Sequence, residues 1–408
     1  MEDYYSLVII AILAFVTPLL FARTSVPVVV GEMVLGLLVG AVLALAKAFF
    51  GYDLLPPSEA VEFLAFIGFI FLMFLAGLEI DFSQLEVGGR RALTRGVLIF
   101  VLTILLAYPM TVLVLQNLGV GVDPLYLTFI LSTTAVALVL TVLREMRLSR
   151  TSYGQQVIIA ALVADMSAMI MVTVYAINIE VVNTGDLSFA FLAVIVFASV
   201  FVSFFLIYKI GSLAIWRYPN HLARFFRPDD PSELGVRMCF AVIFLFFALS
   251  MIIGSEALTV LGAFLAGTVM SLLFQGGALL GKKLFGIGYG FLVPIFFINL
   301  GISFDFQSVL TPEALILLPL LFGVTVVSKV LPSILLSRRI DLERNLATGV
   351  LLTGGLTLMI ASSEIGFSLG IIDATMRSVI ILLAIILGTL TPILFKRLHH
   401  RYGLGGEV

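Results

Sequence analysis

The sequence predicts an all-α polytopic membrane protein with about 13 transmembrane helices, on three observations. Of its 408 residues, 61% are hydrophobic and only 12% charged, where a soluble domain carries about a quarter charged residues. Its apolar residues collect into runs of the roughly 20 residues needed to cross a bilayer. Lys and Arg fall almost entirely on alternate connections between those runs. Mean hydropathy is +1.19. A soluble multidomain enzyme, a nucleic-acid binder and a disordered chain are excluded together, and the lipid bilayer is the expected partner. The net charge of −2 gives no polyanion-binding signal. A single cysteine, Cys239, permits no intrachain disulfide. His221, His399 and His400 lie outside the apolar runs, which removes the usual intramembrane base or metal ligand.

The predicted spans are 6–22, 25–46, 61–80, 93–116, 125–143, 155–177, 187–209, 234–253, 256–274, 284–303, 313–336, 345–370 and 375–396. They are too long and too uniformly apolar for the alternation of a barrel strand. The first is expected to be a retained helix. Its start, Met1-Glu2-Asp3, is acidic, whereas a cleaved signal begins with basic residues. The longest connection, Arg217 to Pro231, is too short for a domain, and no soluble domain is expected after Lys396.

Of the 23 basic residues, all but Lys47, Arg377 and Lys329 follow odd-numbered spans. The positive-inside rule then places the N-terminus outside and the C-terminus in the cytoplasm. Such segregation also supports the span count, since one missed helix would scramble it.

Gly77, Asp81 and Phe82, near the end of the third span, match Gly301, Asp305 and Phe306 near the end of the tenth, at an offset of 224. The same offset carries Thr133 to Thr357 and Ala137 to Ala361, and two residues more carry Val34-Leu35-Gly36 to Val260-Leu261-Gly262. A period of seven helices inverts the second copy. Inverted-topology repeats belong to secondary transporters, whose sites lie near the midplane where discontinuous helices meet. The chain is therefore expected to be one membrane domain, 1–408, with repeat 1 at about 6–177, a linking helix at about 187–216 and repeat 2 at about 234–396.

Ionisable side chains at membrane depth are expensive and mark function. Asp165 lies about 1.5 Å from the midpoint of the sixth span, and Lys329 roughly 6 Å inside the midpoint of the eleventh. Ser132, Thr133 and Thr134 occupy the middle of the fifth span, and Thr353-Gly354-Gly355 with Thr357 the middle of its repeat mate, the twelfth. A carboxylate withdrawn from water is unstable as a bare anion. Asp165 can therefore be satisfied by a proton or by a small cation, and the two compete. Hydroxyl and carbonyl oxygens suit a hard cation, and unwound backbone in these two spans would supply carbonyls. Lys329 can neutralise the empty aspartate. The structural alternatives are an Asp165–Lys329 ion pair holding two helices together, hydroxyls bonded back to their own helices, and glycines that only permit close packing.

Glu32, two turns into the second span, either lines a cytoplasmic funnel or makes a structural hydrogen bond. Glu364, in the outer half of the twelfth, either serves an external vestibule or pairs with another helix. Glu79, Asp81 and Asp305 read as interfacial caps.

Taken in order, VVVGEMVLGLLVG (28–40), FLMFLAGLEIDF (71–82), LSTTAVALVLTVLREM (131–146), the Asp165 helix, PIFFINLGISFDF (294–306) and Lys329 resemble the monovalent cation:proton antiporter-2 family over nearly the whole chain. That family includes Na+/H+ antiporters and Kef-type K+/H+ systems. The resemblance implies a homodimer built from a dimerisation domain and a six-helix core, in which two crossed, broken helices carry the site by an elevator-like motion. Asp165 would be the ion- and proton-binding carboxylate, Thr133 and Thr134 part of the crossing, and Lys329 the core lysine. Two departures stand out. Ala164 occupies the position where relatives carry a second acid, Asn or Gln, and Leu356 and Thr357 follow Gly354-Gly355 where an acid is often found. No Kef-type nucleotide-binding domain is expected. The implied activity is exchange of a monovalent cation, Na+ in the first reading and K+ in the second, for H+ across the cell membrane, without a cofactor. Its rivals are an ion channel and an intramembrane enzyme. The enzyme lacks an acidic partner for Asp165 or a histidine base.

Overall fold

The computed structural model describes residues 2–21, 27–51, 58–78, 82–149, 151–184, 233–253, 256–273, 278–335 and 342–402. All regular structure among them is helical. The span expected at 187–209, the connection from Arg217 to Pro231, and Glu79 and Asp81 lie outside the described residues. Helices occupy each of the other twelve expected spans. Eight helices among the described residues are long and apolar enough to cross a bilayer, or nine if the bent pair Leu342–Leu352 and Thr357–Ser368 counts as one span.

Two compact units are present, one of residues 1–58, 84–175 and 297–408, the other of residues 59–83 and 176–296. Within the second unit, α3 (Glu59–Leu78), α8 (Leu234–Ile253), α9 (Glu256–Leu273), α10 (Ala278–Ile287) and the start of α11 (Val293–Ile302) pack together. Their contact is set by small residues. A Cβ on Gly77 of α3 would strike the carbonyl oxygen of Phe264, and one on Gly267 of α9 would strike that of Phe74. Two backbones meet here at glycines, the usual way apolar helices associate where hydrophobicity alone gives no drive. Phe71 stacks on Phe240 with ring centres 5.2 Å apart, and Phe69 on Phe296 at 4.9 Å. Between α10 and α11 the backbone widens into a π-helical turn, Gly288–Leu292. Its Gly288 seats on Phe71 and Leu75, while Gly68 of α3 approaches the carbonyl of Leu292.

In the first unit, α1 (Glu2–Phe21) and α2 (Val28–Phe50) pair near the start of the chain. Gly51 closes α2 in the left-handed conformation, φ 76°, its N–H bonding the Lys47 carbonyl at 2.9 Å. Gly36 and Gly40 of α2 lie against the backbone of Ile298 to Ile302 in α11. One face of α7 (Ser152–Thr184), with Ile159, Val163, Ala164 and Ala168, forms an apolar cluster with Ala92 and Phe100 of α4 (Phe82–Leu118).

Helix α5 (Pro124–Ser132) starts on Asp123, whose carboxylate accepts the N–H groups of Leu125 at 2.7 Å and Tyr126 at 3.1 Å. Pro124 at the first helical position costs no donor. Asp123→Ala is expected to remove about 1 kcal/mol of stability, read as a lower thermal midpoint in detergent. Asp305 caps the short α12 (Phe306–Val309) in the same way, accepting from Gln307 and Ser308, as its sequence position predicts. The unit is completed by α6 (Val136–Glu145), α13 (Pro312–Leu335), α14 (Leu342–Leu352), α15 (Thr357–Ser368) and α16 (Ala374–Tyr402).

Candidate functional site

Two spans are interrupted, and the interruptions touch. Between α5 and α6 the chain is extended at Thr133 (φ −62°, ψ 145°) and Ala135 (φ −82°, ψ 105°). Between α14 and α15 it opens at Thr353 to Leu356, bending the pair by 40°. Helix ends leave orphan backbone donors and acceptors, which no water satisfies at membrane depth. Each break meets that demand partly from the other. The Ala135 N–H donates to the Gly354 carbonyl at 2.7 Å. The Thr134 hydroxyl donates to the Leu352 carbonyl at 2.9 Å. Gly355 makes this approach possible, since a Cβ there would sit 2.9 Å from the Thr133 carbonyl oxygen.

The three hydroxyls of the fifth span play different parts. Ser132 bonds back to the Thr128 carbonyl at 2.7 Å and Thr133 back to Ile130 at 2.8 Å, as such groups ordinarily do. Only Thr134 reaches across. In the second break, Thr353 bonds back to Val350 at 2.7 Å and lies 3.0 Å from the Thr391 hydroxyl of α16.

Lys329 of α13 is 2% exposed, and its ammonium donates to the carbonyl of Thr133 in the first break. Gly349 of α14 lets α13 come close, because a Cβ at that position would lie 2.6 Å from the Cα of Val330. Asp165 of α7 is 7% exposed, and its carboxylate acts electrostatically on Lys329. Lys329 thus joins the sequence-predicted group, bonded to Thr133 and coupled to Asp165. The sequence alone offers Asp165 as its structural partner. The extended backbone at Thr133 adds a carbonyl, which takes the ammonium proton. Ala164 is part of the apolar cluster that α7 forms with Ala92 and Phe100 of α4.

Glu32 and Glu364 sit apart from that group in their bonding. Glu364 pairs with Arg377 of α16 at 2.8 Å, and Arg377 lies over the Phe367 ring at 4.8 Å. Of the two sequence options for Glu364, pairing with another helix is the one observed. Glu32 is 2% exposed, and its Oε2 has no hydrogen-bond partner among the described residues.

Tyr126 was not singled out from the sequence. Its hydroxyl donates to the Ser362 carbonyl at 2.7 Å, and Gly366 makes room for its ring. The bond ties α5 to α15 two turns from the break. A phenol in an aliphatic run needs a buried acceptor, and that was the available signal. Among the described residues no three His, Cys, Asp or Glu side chains converge. A bound cation would therefore draw its donors from Asp165 with hydroxyl and carbonyl oxygens.

Compared with known proteins, the chain matches the family profile "Sodium/hydrogen exchanger, transmembrane" over residues 10–398. YjbQ of Bacillus subtilis, which bears a provisional Na+/H+ antiporter name, is 34% identical over 97% of this chain, although the chain spans only 63% of YjbQ's length. GerN of Bacillus cereus, named a Na+/H+-K+ antiporter, is 24% identical over 97% of this chain and 96% of GerN. The structure of the sodium proton antiporter MjNhaP1 from Methanocaldococcus jannaschii aligns with a TM-score of 0.61 at 15% identity, covering 99% of this chain and 98% of that one. This last is a likeness of fold.

Proposed function

The chain belongs to the sodium/hydrogen exchanger family, a transporter family of multi-pass membrane proteins, and on that premise we propose that it is a secondary antiporter exchanging Na+ for H+ at Asp165. One observation carries the assignment. Two helix breaks satisfy each other's backbone beside a buried lysine that is coupled to a buried aspartate. Loaded with Na+ or with H+, the carboxylate is neutral. Empty, it is balanced by Lys329. The two loaded forms carry the same charge, so swapping one ion for the other moves no net charge, and coupling requires that the empty Asp165–Lys329 pair be reloaded before the site changes sides. Flow of one ion down its gradient then drives the other up its own. One carboxylate and Ala164 point to electroneutral one-for-one exchange.

Several finer readings accompany this proposal. The broken helices cross within inverted repeats, the site moves by an elevator-like displacement, and the protein works as a homodimer in the cell membrane. The N-terminus faces outward, as the distribution of Lys and Arg supports. The K+/H+ reading is kept as the second, favoured by the printed name of GerN.

Proteoliposomes with an imposed pH gradient test the function. Added Na+ is expected to drive saturable proton movement, unaffected by collapsing the membrane potential. Flux without saturation or coupling would identify a channel, and a response to K+ alone would move the assignment to the second reading. In the same assay Lys329→Ala is expected to shift the pH profile of exchange, since the empty carboxylate loses its counter-charge and the Thr133 carbonyl its donor. A profile superimposable on that of the wild type would remove Lys329 from the mechanism.

A further inference from the structure

Glu32 is buried and has a carboxyl oxygen without a hydrogen-bond partner among the described residues, and the exchange at Asp165 does not use it. Among the described residues no ion pair to it is found. On the elements packed against α2, the described titratable and charged side chains are Tyr5 of α1 and Arg377, Lys396, Arg397, His399, His400 and Arg401 of α16, while α11 contributes none. Arg377 is paired with Glu364, and Lys396 with Glu145 at 2.5 Å. Lys396 also lies about 12 Å along α16 from Gly388, the point where α2 approaches that helix.

Contacts on either side of Glu32 fix its place. Gly36, one turn on, lies against α11, where a Cβ would fall 3.1 Å from the Cα atoms of Ile298 and Gly301. Two residues before Glu32, the Val30 side chain reaches Gly388 of α16, and Leu356 of the second break packs on the same glycine (3.5 and 3.3 Å from a Cβ built there). Glu32 is one turn from Gly36 and shares its face of α2, the face turned towards α11, whereas Val30, two residues away, lies about 200° round the helix. A carboxylate buried without partners is strongly disfavoured as an anion, so the group must hold a proton or meet water.

We propose that Glu32 is a second proton-binding carboxyl of this transporter, taking up and releasing protons on the face of α2 that packs against α11, in exchange with the side of the membrane where α2 begins. The inference rests on the exchange reading for Asp165 and adds a separate group to it. The proton is taken up and given back at the carboxyl oxygen, with no other bond changed.

The test compares wild type, Glu32→Gln and Glu32→Asp as full chains in proteoliposomes. Two rates are read, Na+-driven proton movement across a pH series and proton-independent Na+/Na+ counterflow. Glu32→Gln is expected to slow proton-coupled exchange by about 100-fold and to displace its pH profile. Counterflow should stay near the wild-type rate, and Glu32→Asp should restore most of the exchange. Unchanged exchange in Glu32→Gln overturns the proposal, as does an equal loss of both fluxes with an unmoved profile, which marks a purely structural residue. A wild type that moves no protons against Na+ overturns both readings together, whereas an active wild type matched by Glu32→Gln overturns this one alone.

Discussion

Asp165→Asn is expected to reduce Na+-driven proton movement in proteoliposomes to the level of empty vesicles. The substitution keeps the volume and shape of a side chain that is 7% exposed and removes only its capacity for negative charge. An amide neither releases a proton at accessible pH nor offers a full charge to a dehydrated cation, so both cargoes lose their site at once. The bond from Lys329 to Thr133 is untouched, but the buried ammonium loses its counter-charge, so the thermal midpoint should fall while the protein stays folded at the assay temperature. Loss of transport with retained folding separates a transport role from a structural one. Undiminished exchange in Asp165→Asn would reject the assignment.

The largest expected effect on stability lies elsewhere, where α3 and α9 meet. A Cβ on Gly267 would strike the Phe74 carbonyl and lie 2.8 Å from the Leu78 nitrogen, and one on Gly77 would strike the Phe264 carbonyl and lie 2.8 Å from the Thr268 nitrogen. The obstacles are backbone on both sides, so no side chain can turn away and the helices must separate. Overpacking ordinarily costs 1–3 kcal/mol, and Gly267→Val is expected to cost about 3 kcal/mol or more. The readout is the thermal midpoint of purified protein in detergent. Gly281→Ala is the control, since among the described residues a Cβ there meets only Phe285, at 3.7 Å. If Gly267→Val melted with the wild type, the close approach of the two helices would be wrong.

The apolar runs marked the helices because a helix crossing lipid has to be apolar all round over its length, a signal that needs no partner. Both breaks were legible for a related reason. Ser132-Thr133-Thr134 and Thr353-Gly354-Gly355 are the sites where hydroxyls and glycines replace the Leu and Ala an unbroken helix prefers. The π turn was not legible. Its residues, GYGFL, continue an apolar run, and the widened turn sits where Gly288 meets Phe71 and Leu75, residues far away in sequence. Partners across the fold were equally hidden. Glu364 finds Arg377 beyond a turn, at a separation of 13 residues that no helical spacing predicts. The ammonium of Lys329 finds a carbonyl that only the extended conformation of Thr133 makes available. For Glu32 the commonplace sequence reading was a structural hydrogen bond, and one oxygen lacks it among the described residues.

A single carboxylate serving two cargoes makes one demand that no other arrangement shares, and steady-state exchange at a series of fixed pH values measures it directly. Protons and Na+ must compete, so the apparent KM for Na+ should rise about tenfold per pH unit once the site is mostly protonated, with the maximal rate recovered at saturating Na+. An apparent KM that stays constant across that range, while the maximal rate alone falls, would place the two ions on different groups and contradict exchange at Asp165.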